Sequence, residues 1–141
     1  MRISVFSAHH HKQEPDVKIA LFSFGFKHGH PEADMVLDVR FLPNPYWDLH
    51  LRNHTGVEKP VAAYVLNNEI GRQFLLYLEP LVAFTVNSHK EAGRKELHYA
   101  VGCTGGRHRS VAVTEHLRHF LSDCIDSGDD FTVYHRDIEK K

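Results

Sequence analysis

The residues that most directly invite a chemical reading are Gly102-Cys103-Thr104-Gly105-Gly106-Arg107-His108-Arg109-Ser110. Adjacent glycines let a backbone turn tightly and approach a ligand with no Cβ in the way. The stretch before them, Leu97 to Cys103, reads as a strand. After them Val113, Leu117, Phe120, Leu121 and Cys124 mark one face of a helix. A helix starting there leaves its first N–H groups unpaired, with the positive end of its dipole behind them. Thr104 and Ser110 add hydroxyls, Arg109 a planar fork suited to phosphate oxygens, and Arg107 and His108 further positive charge. The segment therefore reads as a phosphate-binding loop between a strand and a helix. Charge-assisted hydrogen bonds contribute about 1.5–3 kcal/mol each. Three or four of them, less the cost of association, give affinities of roughly micromolar to millimolar order, which suits metabolite sensing.

The same residues fit C-x-x-G-x-x-R-S, the loop of protein tyrosine phosphatases. In that chemistry a Cys103 thiolate attacks phosphorus while Arg109 clamps the oxygens. A general acid must protonate the leaving oxygen, and Asp38 and Asp137 are the nominees. Gly102 stands where such phosphatases usually carry histidine, and the pattern fixes only four positions. A cysteine-dependent phosphatase is the alternative to binding without turnover. The plainest reading is a glycine turn with exposed arginines and no ligand.

Asp38-Val-Arg40 closes a second apolar run and enters a proline-rich segment. Asp38 offers an acceptor for a sugar hydroxyl or an ammonium group, and Arg40 a further phosphate contact. A salt bridge tying the loop to the sheet explains the same pair equally well. His28 with His30, and His116 with His119, lack a nearby third ligand. No metal is expected, and no cofactor.

These groups need elements to position them. Lys18–Phe24 is a continuous apolar run of strand length, suited to a central strand buried on both faces. Met35–Arg40 reads as the next strand, Leu97–Cys103 the third and Phe131–His135 the last. Phe41 to Pro60 forms a long loop, and long loops in compact domains are usually functional. From Val61 to about Gly93 the pattern is helical, with Ile70, Phe74, Leu78, Leu81 and Thr85 on one core-facing stripe and a kink or break expected at Pro80. Strands alternating with helices predict an α/β fold: a small, mostly parallel sheet with helices on both faces. Residues 1–17 read as a flexible N-terminal lead-in in which Ile3, Val5 and Phe6 pair at most briefly, and residues 18–141 as one domain.

Composition narrows the function classes. The chain has 141 residues, 42% hydrophobic and 25% charged, ordinary for one globular domain. Two cysteines are too few for a secreted disulfide scaffold. Its apolar runs are too short to span a membrane, and the start lacks a secretory hydrophobic region, so a cytoplasmic location is expected. A net charge of −1 argues against a strongly basic nucleic-acid binder, although a local basic patch still binds phosphates.

Several blocks taken together resemble one family. They are Ser23–Gly29, Asp38–Pro45, Thr55-Gly56 with Lys59-Pro60, Gly102–Ser110 and His135–Lys140. Over residues from about Lys18 to the end, the chain resembles the C-terminal domain of the bacterial RapZ RNase adapter proteins. The resemblance implies a regulatory, non-enzymatic domain that senses a phosphorylated sugar, glucosamine-6-phosphate in the family's best-known branch. It implies binding through Asp38, Thr104, Gly105, His108 and Arg109, with Arg40 and Gly106 as neighbours; Ser110 belongs to the same loop. It also implies a small regulatory RNA and an RNase as partners, and a homo-oligomer. For RNA the basic candidates are Arg107, Arg118, Arg136, Lys140 and Lys141. Tyr46 stands where family members can carry histidine. No G-x-x-x-x-G-K-[ST] occurs, so the family's nucleotide-binding half is not expected in this chain, which reads as a free-standing domain or a fragment.

Overall fold

Alternate residues of a strand point to opposite faces, and a strand apolar at nearly every position must be covered on both. β1 (Lys18–Gly25) meets that condition and lies inside a four-stranded sheet. β2 (Met35–Asp38), β3 (Glu96–Cys103) and β4 (Asp130–His135) complete it in the order β2-β3-β1-β4, all parallel. A computed structural model describes residues 16–141. The expected lead-in, with the brief pairing of Ile3, Val5 and Phe6, lies outside the described residues except for Asp16 and Val17. Asp16 donates its N–H to Gly128 O, and Val17 is a core residue.

Three helices connect the strands: α1 (Lys59–Leu66), α2 (Glu69–Glu91) and α3 (Arg109–Ser122). The α/β expectation holds, but the helices sit differently from the two-faced arrangement expected. Val65, Leu78, Val82, Val86, Val113, Leu117 and Leu121 from all three helices join Ile19, Leu21, Leu97, Tyr99 and Val101 in one cluster. Phe22, Phe24 and Ala100 on the opposite face meet Phe26 and Ala33 instead. Crossover handedness explains this. The β2–β3 and β3–β4 connections both run across the sheet in the same direction, whereas β1–β2 runs the other way. Right-handed crossovers then place α1, α2 and α3 on one face and the β1–β2 connection, with its short 3₁₀ turn Phe26–His28, on the other.

The helical segment breaks at Asn67-Asn68 and continues through Pro80, the reverse of the expectation. Asn68 finishes one helix and starts the next: its Nδ2 donates to Tyr64 O (3.0 Å) and Val65 O (3.1 Å), and its Oδ1 accepts Gly71 N–H (2.9 Å). A side chain at Gly71 would run into the Leu66 backbone, so the close helix approach needs glycine there. Pro80 faces solvent, where water can satisfy the carbonyl its missing N–H leaves behind. The core face also rotates from the expected stripe. Leu78 is buried and Phe74 partly so, joined by Gly71, Val82 and Val86, while Ile70 and Leu81 are exposed. β2 ends at Asp38 rather than Arg40, and Cys124 lies beyond α3 and is exposed. Among the described residues no helix is long and apolar enough to cross a membrane.

Candidate functional site

Parallel strands all end at one edge of the sheet, and ligands of α/β folds gather there. At the end of β3, residues 104–108 turn into the first residue of α3. Close backbone contact shapes the turn. A side chain at Gly25 would collide with the Gly105 carbonyl, and Gly106 has a φ of +81° with its Cβ position 3.0 Å from Asp137 Cβ. Gly105, by contrast, opens outward: the nearest atom to its Cβ position is Lys27 Cε at 4.0 Å. Gly56 of the long loop docks against the other side, donating its N–H to Arg107 O (2.9 Å), with no room for a side chain beside His108 O and Ala112 N.

Asp137 holds this turn from beneath. The carboxylate is fully buried and accepts from Gly25 N–H (2.7 Å), the Arg136 guanidinium (2.8 Å) and Lys140 Nζ (2.7 Å). Burial raises its pKa, but hydrogen bonds from Arg136, Gly25 and Lys140 outweigh that and bring it to about 2. Asp38 lies at the end of β2, where Arg40 donates Nε to Oδ1 (2.9 Å) and Nη2 to Oδ2 (2.7 Å), and its pKa falls because of those bonds. Arg40 also lies over the Phe26 ring at 4.2 Å. Asp38 and Arg40 are therefore committed to each other, and neither lines the cavity described below. Both acids nominated for phosphatase chemistry are held as carboxylates near neutral pH, so neither is a proton donor there. The phosphatase alternative is left without its acid.

A cavity of about 610 Å³ opens over the loop, lined by Thr104, Gly105, Arg107, His108 and Arg109 together with Lys27, Asn44, Tyr46, Arg52, Asn53, Cys103 and Lys141. Five of these carry cationic side chains and none an acidic one. Lys27, Arg52, Arg107, Arg109 and Lys141 form no ion pair among the described residues, whereas all the other described arginines do, as do Lys90 and Lys140. Arg109 is 6% exposed; its Nη1 donates to Arg40 O (2.6 Å), and its buried Nε has no partner among the described residues. Burial pushes the His108 pKa down, and its Nε2 lies 3.0 Å from Arg52 O, so the ring is neutral near pH 7. At the cavity floor the Cys103 sulfur receives the Ser110 N–H (3.3 Å) and lies 3.1 Å from Ser110 Oγ.

The structure thus gathers Thr104, Gly105, His108 and Arg109 on the cavity wall and sets Gly106 and Ser110 behind them as buried supports. Of the residues nominated for RNA, Arg107 and Lys141 line the cavity. Arg118 pairs with Glu115, and Arg136 and Lys140 with Asp137. Sequence reasoning did not single out Lys27, Asn44, Arg52 and Asn53. Their signal was present in the proline-rich segment, where length alone marked a functional loop, and in the block Ser23–Gly29.

The family model described as the RapZ C-terminal domain matches residues 17–139. A protein of Caldicellulosiruptor saccharolyticus named "Nucleotide-binding protein" is 42% identical over 137 residues, covering 96% of this chain and 45% of that one. Relatives with the same name from Nocardia farcinica (43% over 128 residues) and Bacillus thuringiensis (42% over 131 residues) cover 89% and 91% of the chain, and 40% and 43% of their own lengths. The chain spans less than half the length of these curated relatives. With the match running from the first core residue of the sheet to just past the buried Asp137, this chain belongs to the RapZ C-terminal domain family.

Proposed function

We propose that the cavity binds a phosphorylated sugar, glucosamine-6-phosphate or a close relative, and that the domain reports its concentration without transforming it. The observation that carries this reading is five cations without acidic partners around one cavity, in a chain whose net charge is −1. Arg109 adds to it: a cation placed in the first turn of a helix opposes the helix dipole, and a bound phosphate relieves that opposition. Gly105 leaves the loop backbone accessible, and Asn44 and Asn53 supply neutral groups for sugar hydroxyls. A small regulatory RNA, an RNase and further copies of the chain are the partners we propose from family membership.

Isothermal titration with glucosamine-6-phosphate, beside glucose-6-phosphate and inorganic phosphate, tests the reading. Saturable binding of the sugar phosphates is expected, weakened at least tenfold by Arg109→Ala. Unchanged affinity in that variant removes the site assignment, and no binding of any sugar phosphate removes the function.

A further inference from the structure

A sugar monophosphate carries about two negative charges near neutral pH, and this cavity presents five cations. Lys27 approaches the glycine turn, donating its backbone N–H to Thr104 O (3.1 Å), and lines the cavity with the buried Arg109. These two, with Thr104 and Gly105, suffice for one phosphate.

Arg107 follows in the same turn, and Arg52 and Lys141 come from the long loop and the end of the described residues. Arg52 anchors its Nε on Tyr46 O (2.8 Å) and lies over the Tyr46 ring at 4.4 Å. Arg107 anchors its Nε on Ile138 O (3.0 Å). In both, the Nη nitrogens have no hydrogen-bond partner among the described residues, and both side chains line the cavity. Two guanidinium forks fixed by one nitrogen and open at the others have already lost much of the freedom that binding removes. Like charges lining one partly enclosed cavity repel, and a second phosphate offsets that repulsion. The volume, about 610 Å³, lies within the range of roughly 300–1,000 Å³ typical of sites for drug-sized ligands, which leaves room beside a monosaccharide.

We infer that Arg52, Arg107 and Lys141 form a second anion subsite, and that the cavity takes organic bisphosphates in preference to monophosphates. The inference rests on the phosphosugar reading of the same cavity. Fructose-6-phosphate and fructose-1,6-bisphosphate make a matched pair of probes, titrated at a single ionic strength and again at higher salt. The bisphosphate is expected to bind at least tenfold more tightly, with a steeper loss of affinity on adding salt. A double variant, Arg52→Gln with Arg107→Gln, should erase the difference by weakening fructose-1,6-bisphosphate at least tenfold more than it weakens fructose-6-phosphate, its folding checked by circular dichroism. Equal affinities in the wild-type protein overturn the second subsite and leave the phosphosugar reading standing. A preference that survives the double variant overturns the assignment to these residues. Failure of glucosamine-6-phosphate and both fructose phosphates to bind overturns both inferences together.

Discussion

Asp137 shows how a residue nominated for chemistry serves position instead. Its carboxylate ties the Gly25 turn to Arg136 and Lys140 near the other end of the domain, and its Cβ lies 3.0 Å from where a Gly106 side chain would begin. The unfolded carboxyl titrates near 3.8 and the folded one near 2. Because the folded pKa is the lower, its contribution is complete above pH 4 and fades as pH falls toward 2. The difference amounts to about 2 kcal/mol of stability. Asp137→Asn should lower the urea unfolding free energy by about 2–4 kcal/mol at pH 7, since it also strips Arg136 and Lys140 of their partner. The gap between variant and wild type should narrow as both are measured from pH 4 down to pH 2.5. A gap that stays constant over this range contradicts the clasp. The sequence showed an aspartate near the end of the chain; only the folding of strand β4 beside β1 discloses what it holds.

The elements were legible where hydrophobic pattern alone decides them. β1, β3 and β4 stand within a residue of the apolar runs that announced them. The helix break was misplaced because a solvent-facing proline is tolerated within α2, whereas Asn68 provides caps for two helix ends at once. Asn68→Ala should therefore cost about 1–2 kcal/mol, the usual worth of a cap with its reciprocal bonds lost, read from the thermal midpoint. The glycine turn invites a paired test. Gly106→Ala must adopt a positive φ and crowd Asp137, so a loss of about 1–3 kcal/mol is expected in denaturant melts. Gly105→Ala has ordinary backbone and open space, and its melt should match the wild type within about 0.5 kcal/mol. Equal losses in the two variants contradict the geometry of the turn.

At the scale of the molecule, the loop and its arginine could be read from consecutive residues, but the cavity could not. Lys27, Arg52 and Lys141 are distant in sequence and meet only because parallel strands end at one edge and the long loop folds back over it. Nor could spacing tell which of Asp38 and Asp137 served the site; burial and partners decide that. The one-sided placement of the helices likewise depends on strand order, which periodicity does not encode. The cations then gather at one end of a nearly neutral chain, so binding there should respond to salt more strongly than folding does.

The buried clasp at Asp137 also bears on how the molecule is made. Synthesis proceeds from the N-terminus, and the residues that brace the loop emerge after the strands and helices of the domain. The sheet's inner strands β1 and β3, and α3, are complete in the chain well before residue 137 appears. A newborn chain therefore has the means to fold before it has the means to bind. A version ending at His135 should keep its helical and strand signal in circular dichroism yet show at least tenfold weaker sugar-phosphate binding.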